Sequence, residues 1–155
     1  MEPTEEYLVE LRTQDKGNYM ISQTKIKVRY VETDQMGIVH HSNYFNWFEV
    51  GRTEFFNQIG LSYKEIESSG IVLPLINANC NYKIPAKYED ELIIQTRIEE
   101  VKFAKSKLVY EVIRITDNKV LATGYTVHAF ANKLFKPINL KRTNEKLYNI
   151  LLNCI

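Results

Sequence analysis

Cysteine is scarce in this chain, and the two that occur, Cys80 and Cys154, lie far apart in the sequence. Their spacing excludes a Cys-x-x-Cys zinc or redox motif. The low count favours a reduced protein over a scaffold built on disulfides, so we expect a cytoplasmic location.

Long apolar runs are also missing, since none reaches the ~20 residues that a membrane-spanning helix needs. The acidic start MEPTEEYLVE lacks the apolar core of a signal peptide. Net charge is small as well, with 20 Lys and Arg against 19 Asp and Glu. We therefore expect no membrane insertion, and the net charge gives no electrostatic case for a nucleic-acid or an anionic-membrane partner.

A chain of 155 residues has the length of one domain. We place that domain at residues 21–155, behind an N-terminal extension formed by residues 1–20. Within the extension, Tyr7, Leu8 and Leu11 allow a short helix. The ten Tyr and seven Phe suit either an aromatic core or an aromatic-lined apolar pocket, and composition does not separate these two.

The first half of the chain predicts one strand and two helices. Residues 24–31 alternate, with Ile26, Val28 and Tyr30 on one side, as in a half-buried strand. Apolar residues at helical spacing predict a long helix that is capped by residue 42 or 43 and ends near residue 57, before Gly60. Ser62 and Glu65 form a capping-box pattern for a short helix, which ends at Gly70.

The second half predicts four more strands with hairpin-length connections. A first strand, starting at Ile71, is broken at Pro74. Turns are predicted at residues 83–91, at residues 104–107 and at Asp117-Asn118, and Gly124 predicts a bulge or a close approach. Thr143 is predicted to cap a C-terminal helix. Hairpins imply antiparallel pairing, so we expect an α+β domain with a sheet of about five strands around one long helix.

The stretch VRYVETDQMGIVHHSNYFNWFEVGR connects the first strand to the long helix. It places the carboxylate of Asp34 a few residues before a helix N-terminus, where backbone N–H groups and the helix dipole favour negative charge. This arrangement suits chemistry on a carbonyl group. An aspartate that only shapes a turn or caps the helix is the alternative.

The same stretch resembles the hotdog-fold acyl-CoA thioesterases, and within them the branch of 4-hydroxybenzoyl-CoA thioesterase and the Tol-Pal-associated thioesterases. The resemblance covers roughly residues 24–140 and includes the segments NANCNYKIPAKYEDEL and TGYTVHAFAN. Its specific part consists of the following residues: Arg29, Tyr30, Glu32, Thr33, Asp34, Gly37, Ile38, Val39, His41, Asn43, Tyr44, Trp47, Glu49 and Arg52.

The resemblance implies hydrolysis of a thioester of coenzyme A or of acyl carrier protein to a free acid and a thiol. The catalytic carboxylate of the family falls on Asp34, which acts either as nucleophile or as general base for a water molecule. The oxyanion donor falls on the backbone amide of His41, and Gly37 permits the tight turn beside it. Whether the His41 or His40 imidazole also lines the site is left open.

Residues for binding the substrate are also implied. Asn43 and Tyr44 either position the substrate or close the loop, and Tyr82 is expected to line an aryl or aliphatic acyl pocket. The lysine-rich turn with Lys102, Lys105 and Ser106 lies where the family binds CoA phosphates, although any solvated sheet edge carries such lysines. His128 is expected to be a packed or interface histidine.

Several alternatives remain at this stage. Glu49 and Arg52, three apart on the helix, are predicted to form an ion pair, while Glu49 is the second candidate for the catalytic carboxylate. An acyl-thioester hydratase or dehydratase, and a module that binds acyl chains or carrier protein without turnover, are the competing functions. No metal or cofactor is implied, because CoA belongs to the substrate. A homodimer or homotetramer with the site at the subunit interface is expected.

Overall fold

An antiparallel sheet of six strands forms the body of the protein. The computed structural model describes residues 10–13 and 19–155. The strands follow the chain as β1 (Glu10–Thr13), β2 (Met20–Lys27), β3 (Ile71–Val72), β4 (Leu75–Tyr82), β5 (Glu91–Val101), β6 (Lys105–Arg114), β7 (Lys119–Ala129) and β8 (Ala131–Asn132). The main sheet has the order β1-β2-β5-β6-β7-β4, and β3 and β8 form a separate pair.

One long helix, α1 (Asn43–Gln58), packs across one face of this sheet. Strands β5, β6 and β7 bury alternate side chains toward it, because successive residues of a strand point to opposite faces. The helix contributes five aromatic side chains to the same core: Tyr44, Trp47, Phe48, Phe55 and Phe56. The result is the expected hotdog architecture, an α+β fold.

Two glycines set the distance between α1 and the sheet. A Cβ atom on Gly51 would lie 2.5 Å from the Thr96 hydroxyl oxygen, and one on Gly124 would lie 2.6 Å from the Phe48 ring. Both distances are shorter than any real carbon contact, so a side chain at either position would push the helix away. The prediction of a close approach at Gly124 is confirmed.

The shorter helices are α2 (Tyr63–Ser68), α3 (Leu140–Thr143) and α4 (Glu145–Leu152). The capping box of Ser62 and Glu65 is present at the start of α2. The cap of the last helix was predicted wrongly, because Asn144, not Thr143, accepts the N–H of Leu147. Among the described residues, no helix is long and apolar enough to cross a membrane.

Two predictions about the strands need correction. The first strand ends at Lys27, and Tyr30 lies in a short 3₁₀ helix, Tyr30–Glu32, where 75% of its surface is exposed. The turn predicted at residues 104–107 comes earlier, because β6 already begins at Lys105.

The N-terminal strand was not predicted. Leu11 belongs to β1, which pairs with β2 and raises the number of strands in the main sheet from five to six. The other residues proposed for a short helix, Tyr7 and Leu8, lie outside the described residues. The break at Pro74 is confirmed, since it separates β3 from β4.

Candidate functional site

The loop between β2 and α1 holds Asp34 in a tight turn. The Asp34 N–H donates to Ile38 O at 2.8 Å, and the Gly37 N–H donates to Asp34 O at 3.0 Å. Gly37 has φ of +79°, a left-handed conformation that glycine adopts without strain. One carboxylate oxygen of Asp34, Oδ1, accepts the Met36 N–H at 2.8 Å, which orients the half-buried side chain.

A buried carboxylate attaches this loop to the helix. Glu32 is 4% exposed, and its two oxygens accept the Arg29 backbone N–H and the Trp47 indole N–H, both at 2.8 Å. A buried carboxylate is stable where such donors satisfy it. Glu32 thus has a structural role in the site. The motif alone did not distinguish this role from a catalytic one.

The peptide that joins His40 to His41 is held from its carbonyl side. His40 O accepts the Asn43 backbone N–H at 3.0 Å and the Asn43 side-chain amide at 3.3 Å. The same amide group donates to Glu32 O at 2.9 Å. On the other side of this peptide, the His41 N–H meets no acceptor within the described part of the chain. An N–H group in this condition is free to stabilise an oxyanion.

Both hydrogens of the Asn43 side-chain amide are therefore committed to backbone carbonyls. Of the two roles considered for Asn43, the structure favours closing the loop over positioning the substrate. The neighbouring Tyr44 is 3% exposed, and its hydroxyl accepts the Ala86 N–H at 3.4 Å. Tyr44 therefore belongs to the core as well as to the wall of the site.

Tyr82, on the edge strand β4, reaches the same loop. Its hydroxyl donates to His41 O at 3.1 Å, and its ring packs edge-on against the rings of His41 and Tyr44. Burial raises the pKa of Tyr82 to about 12, so its phenol stays protonated and donates at neutral pH. Tyr82 fixes the His41–Ser42 peptide, while Asn43 fixes the peptide before it.

A cavity of about 250 Å³ brings several predicted residues together. Asp34, His41, Tyr44 and Tyr82 all line it. The remaining wall is supplied by Met36, Ile38, Val39, Lys83, Ile84 and Pro85. One largely apolar cavity at the start of α1 is thus lined both by a residue with a carboxylate and by a residue whose N–H group has no acceptor in the described part of the structure. Addition of a nucleophile to a carbonyl group needs these two groups. Gly37 shapes the turn but does not line the cavity.

The residues predicted to bind CoA phosphates lie at the end of the folded chain that is opposite to Asp34. The Asp34 loop is attached near the start of β5, through Val28 N–H to Asp90 O at 2.9 Å, whereas Lys102 and Lys105 flank the turn after its end. The eleven residues of β5 span roughly 30 Å. Lys102 pairs with Glu100 at 2.9 Å, and Ser106 is buried, so one chain alone does not place them beside Asp34.

The predicted ion pair between Glu49 and Arg52 is wrong. Among the described residues, Arg52 donates instead to two phenols, to Tyr63 Oη at 2.8 Å and to Tyr110 Oη at 3.1 Å. Glu49 is exposed on α1 and does not line the cavity with Asp34. The spacing along one helix suggested a local pair, but residues distant in sequence offered buried acceptors.

His128 is packed, as expected. It is 4% exposed, and its ring contacts Leu73 O at 3.2 Å and Thr126 Oγ1 at 2.9 Å. Burial, assisted by the positive charge of Arg52, lowers the pKa of His128 to about 4. His40, by contrast, is exposed, and its Nδ1 contacts the Ser42 hydroxyl at 2.8 Å.

A larger cavity, of about 510 Å³, involves side chains on the sheet face that points away from α1, among them Gln95, Arg97, Glu111 and Tyr125. None of the predicted catalytic residues lines it. Size alone does not identify a site, and the smaller cavity has the reactive groups.

Comparison with known proteins identifies the family of this chain. Residues 9–135 match the model of a family described as the thioesterase-like superfamily. A Bacillus subtilis protein, YneP, provisionally named as an acyl-CoA thioesterase, is 34% identical over 122 residues, which cover 79% of this chain and 88% of YneP.

Solved structures that resemble this chain include thioesterases as well. The DHNA-CoA thioesterase of Staphylococcus aureus is 34% identical, with a TM-score of 0.79, and the match covers 84% of this chain and 87% of that protein. A more distant relative, the acyl-acyl carrier protein thioesterase ATL3 of Arabidopsis thaliana, is 22% identical over 81% of this chain and 66% of its own length.

Proposed function

The chain belongs to the thioesterase-like superfamily and is a thioester hydrolase, and from this premise we propose that it hydrolyses acyl-CoA thioesters in the cavity lined by Asp34 and His41. The observation that carries the proposal is that this one cavity contains both the Asp34 carboxylate and the residue whose N–H has no acceptor among the described residues. We place the chain in the 4-hydroxybenzoyl-CoA and Tol-Pal-associated branch on the strength of the motif around Asp34.

In the proposed reaction, Asp34 acts as general base. It removes a proton from a water molecule, and the oxygen of that water attacks the thioester carbonyl carbon. The carbonyl oxygen becomes an oxyanion, which accepts a hydrogen bond from the His41 N–H. When the C–S bond breaks, the thiolate leaves and takes the proton from Asp34, so that the products are a carboxylic acid and a thiol.

Attack by the carboxylate itself is the second route to the same products. Asp34 Oδ2 would then bond to the acyl carbon, the thiol would leave, and water would hydrolyse the resulting anhydride. The Met36 N–H occupies Oδ1 and leaves Oδ2 without a partner among the described residues, which suits either route. Detection of an acyl group on Asp34 by mass spectrometry after rapid quenching would assign the nucleophilic route. Neither route requires a cofactor.

The principal test is Asp34→Asn. This substitution keeps the shape of the side chain but removes its basicity, so we expect hydrolysis to fall by at least ~100-fold with an unchanged thermal unfolding midpoint. The matched control is Glu49→Gln, which changes the other candidate carboxylate and should leave kcat within about twofold. A near-normal rate in the Asp34 variant, or a large loss in the Glu49 variant, would refute the assignment.

We further propose that two copies complete one site. Strand β4 lies at an edge of the main sheet, and its Leu75 and Ile76 side chains are each 57% exposed. An edge strand with exposed apolar residues favours pairing with a second strand. Two antiparallel copies of β4 would continue the sheet and produce a closed dimer with two-fold symmetry.

Such a dimer would bring together the groups that one chain keeps apart. Tyr82 lies beside the Asp34 loop, whereas Leu75, at the other end of β4, pairs with His128, which pairs with Ser106. Antiparallel pairing would place Tyr82 of one chain near the Leu75 end of the other. The lysine-rich turn that follows that end, with the partner's Lys102 and Lys105, would then approach Asp34 and could neutralise CoA phosphates.

A mixing experiment tests this arrangement. Asp34→Asn chains and Lys102→Ala/Lys105→Ala chains each lack one half of every site. When equal amounts are exchanged into mixed dimers, half of the dimers regain one normal site, so about a quarter of the wild-type activity should return. If no activity returns although mass measurements show mixed dimers, the lysines act within their own chain or do not act at all.

The thiol carrier and the acyl group are to be assigned by assay. Relatives named for CoA and for acyl carrier protein thioesters both occur, so we propose that rates be compared on the same acyl group attached to each carrier, across short, long, branched and aromatic chains.

Both cysteines carry free thiols, which supports a reducing compartment such as the cytoplasm.

A further inference from the structure

A turn at the end of the molecule away from Asp34 displays two large apolar side chains. Leu134 is 74% exposed and Phe135 is 72% exposed. Hydrogen bonds fix the conformation of this turn, because Asn132 Oδ1 accepts the Leu134 N–H at 2.9 Å and the Lys136 N–H at 3.0 Å. Asn132 also exchanges backbone hydrogen bonds with Phe135 and Lys136.

Phe135 adopts a backbone conformation that aromatic residues rarely have. Its φ is +60°, in the left-handed region that glycine and asparagine prefer. A polar residue at this position would cost less both in strain and in exposed apolar surface. The presence of phenylalanine there points to a function for the exposed ring.

A second exposed aromatic residue lies at the same end. Phe103 is 50% exposed in the turn between β5 and β6. This turn joins the C-terminal segment through two backbone hydrogen bonds, Phe130 N–H to Ala104 O at 2.8 Å and Leu140 N–H to Phe103 O at 2.7 Å. We call the two turns together, residues 102–105 and 132–137, the basic tip.

Lysines surround these apolar side chains. Five of them are exposed at or beside the basic tip: Lys102, Lys105, Lys133, Lys136 and Lys141. Residues 118–144 contain five Lys and Arg but no Asp or Glu. Within the described part of the chain, Lys102 is the one among the five that forms an ion pair. The net charge of +1 for the whole chain therefore hides a strongly basic end.

We propose that the basic tip docks on a bilayer that contains anionic phospholipids, with Leu134 and Phe135 entering the headgroup region. Lysines near such a surface are attracted by its negative potential, and the apolar side chains add affinity by leaving water. This inference does not depend on the proposed reaction, because Leu134, Phe135 and the lysines that flank them are not the residues assigned to CoA. It also differs from the expectation drawn from the net charge, which gave no electrostatic case for an anionic membrane.

The chemistry of the basic tip favours a bilayer over a protein partner. Lysine is depleted at the centres of protein–protein interfaces, whereas here lysines directly flank both apolar residues. A protein partner would also need a pocket to receive a protruding turn, while a bilayer receives it without a matching shape. The apolar area is small, which corresponds to reversible binding at the surface.

Sedimentation of the full-length protein with vesicles tests the proposal. We expect binding to vesicles in which about one lipid in four is phosphatidylglycerol, none to pure phosphatidylcholine, and weaker binding as salt is added. The double variant Leu134→Gln/Phe135→Asn should bind at least ~10-fold more weakly. Asparagine tolerates the left-handed backbone, so this variant is expected to stay folded.

Charge and position are tested separately. Lys133→Gln and Lys136→Gln avoid the lysines assigned to CoA, and each should weaken vesicle binding about fivefold. The matched control is Ile115→Ser/Lys119→Gln, which removes one exposed apolar and one basic residue from the hairpin that joins β6 to β7 and should bind normally.

Three outcomes would overturn the proposal. The first is no binding to the anionic vesicles, and the second is binding that the tip variants do not weaken. The third is a change in the mass of the protein in solution in the Leu134→Gln/Phe135→Asn variant, which would assign the tip to contact between copies of the chain. Activity on acyl carrier protein thioesters, measured in the same variants, identifies a protein partner if it falls while vesicle binding stays normal.

Discussion

Two hydrogen-bonded networks connect α1 to the rest of the molecule, and they differ in one respect. At the N-terminus of the helix, Glu32, Asn43 and Tyr82 hold the loop but leave the His41 N–H without an acceptor among the described residues. Midway along the helix, the second network leaves no donor of Tyr110, Thr126 or His128 unused. In the proposed reaction the first network supports chemistry, while the second supports the fold.

The second network has a single direction of donation. Leu73 O can only accept, so Nδ1 of His128 donates to it and Nε2 accepts from Thr126. Thr126 then accepts from Tyr110 at 2.6 Å, and Tyr110 accepts from Arg52. Burial raises the pKa of Tyr110, which keeps it protonated as this order requires.

The largest effect is expected at the charged end of this second network. Arg52→Met removes the donors to two phenols, and because each bond to a charged group contributes roughly 1.5 kcal/mol or more, the free energy of unfolding should fall by roughly 3 kcal/mol. Urea unfolding measures this loss. Arg97→Met, which removes a weak exposed pair with Glu99, should cost less than about 0.5 kcal/mol. Equal losses in the two variants would remove the distinction between the networks.

An effect of pH on the free energy of unfolding, of similar size, is expected at the His128 end of the second network. Because the pKa of His128 is about 4 in the folded protein, against about 6.5 unfolded, the unfolded chain binds the extra proton between these values. Stability is therefore complete above pH 6.5 and declines by about 3 kcal/mol as the pH falls to 4. Unfolding of His128→Gln should show a smaller decline over this range, whereas His40→Gln should behave as the wild type does.

The first network should affect rate more than stability. Asn43→Ala removes the side-chain bonds to the His40 and Glu32 carbonyls and keeps only the backbone bond to His40 O. The His41 N–H is then held less firmly, and we expect kcat to fall roughly 30-fold with little change in KM. The control is Asn46→Ala, an exposed residue one turn along the helix. A rise in KM without a loss of kcat would return Asn43 to the role of substrate binding.

The smallest effect is expected for Tyr82→Phe, which keeps the ring but removes the hydrogen bond to His41 O. Because one neutral hydrogen bond to a backbone carbonyl is lost, kcat should fall roughly fivefold. Tyr88→Phe, at an exposed tyrosine outside the cavity, should have no effect. A change confined to KM would show that Tyr82 contacts the substrate and does not position the peptide.

The sequence predicted the parts of the molecule that depend on local pattern. The long helix, the capping box of Ser62, the break at Pro74 and the close approach at Gly124 all follow from rules about neighbouring residues or backbone conformation. The location of Asp34 in a turn before α1 was accessible for the same reason, because a fixed motif specifies it.

Features that depend on distant partners were not accessible in this way. Arg52 lies three residues from Glu49, but its acceptors include Tyr110, 58 residues away, and nothing in the local spacing indicates that contact. The burial of Glu32 depends likewise on Trp47. Lys102 and Lys105 were grouped with Asp34 by family resemblance, although a single chain keeps them far apart.

The two glycines that draw α1 against the sheet have a consequence for the length of the substrate. With contacts this close, there is no room for an acyl chain between the helix and its own sheet at Gly51 or at Gly124. In the proposed reaction, the acyl chain would leave the thioester carbonyl sideways, past Tyr44 and Tyr82 and over the edge strand. In the proposed dimer, the neighbouring chain would then form the far wall of the acyl tunnel, and its side chains would set the longest acyl group that the enzyme accepts.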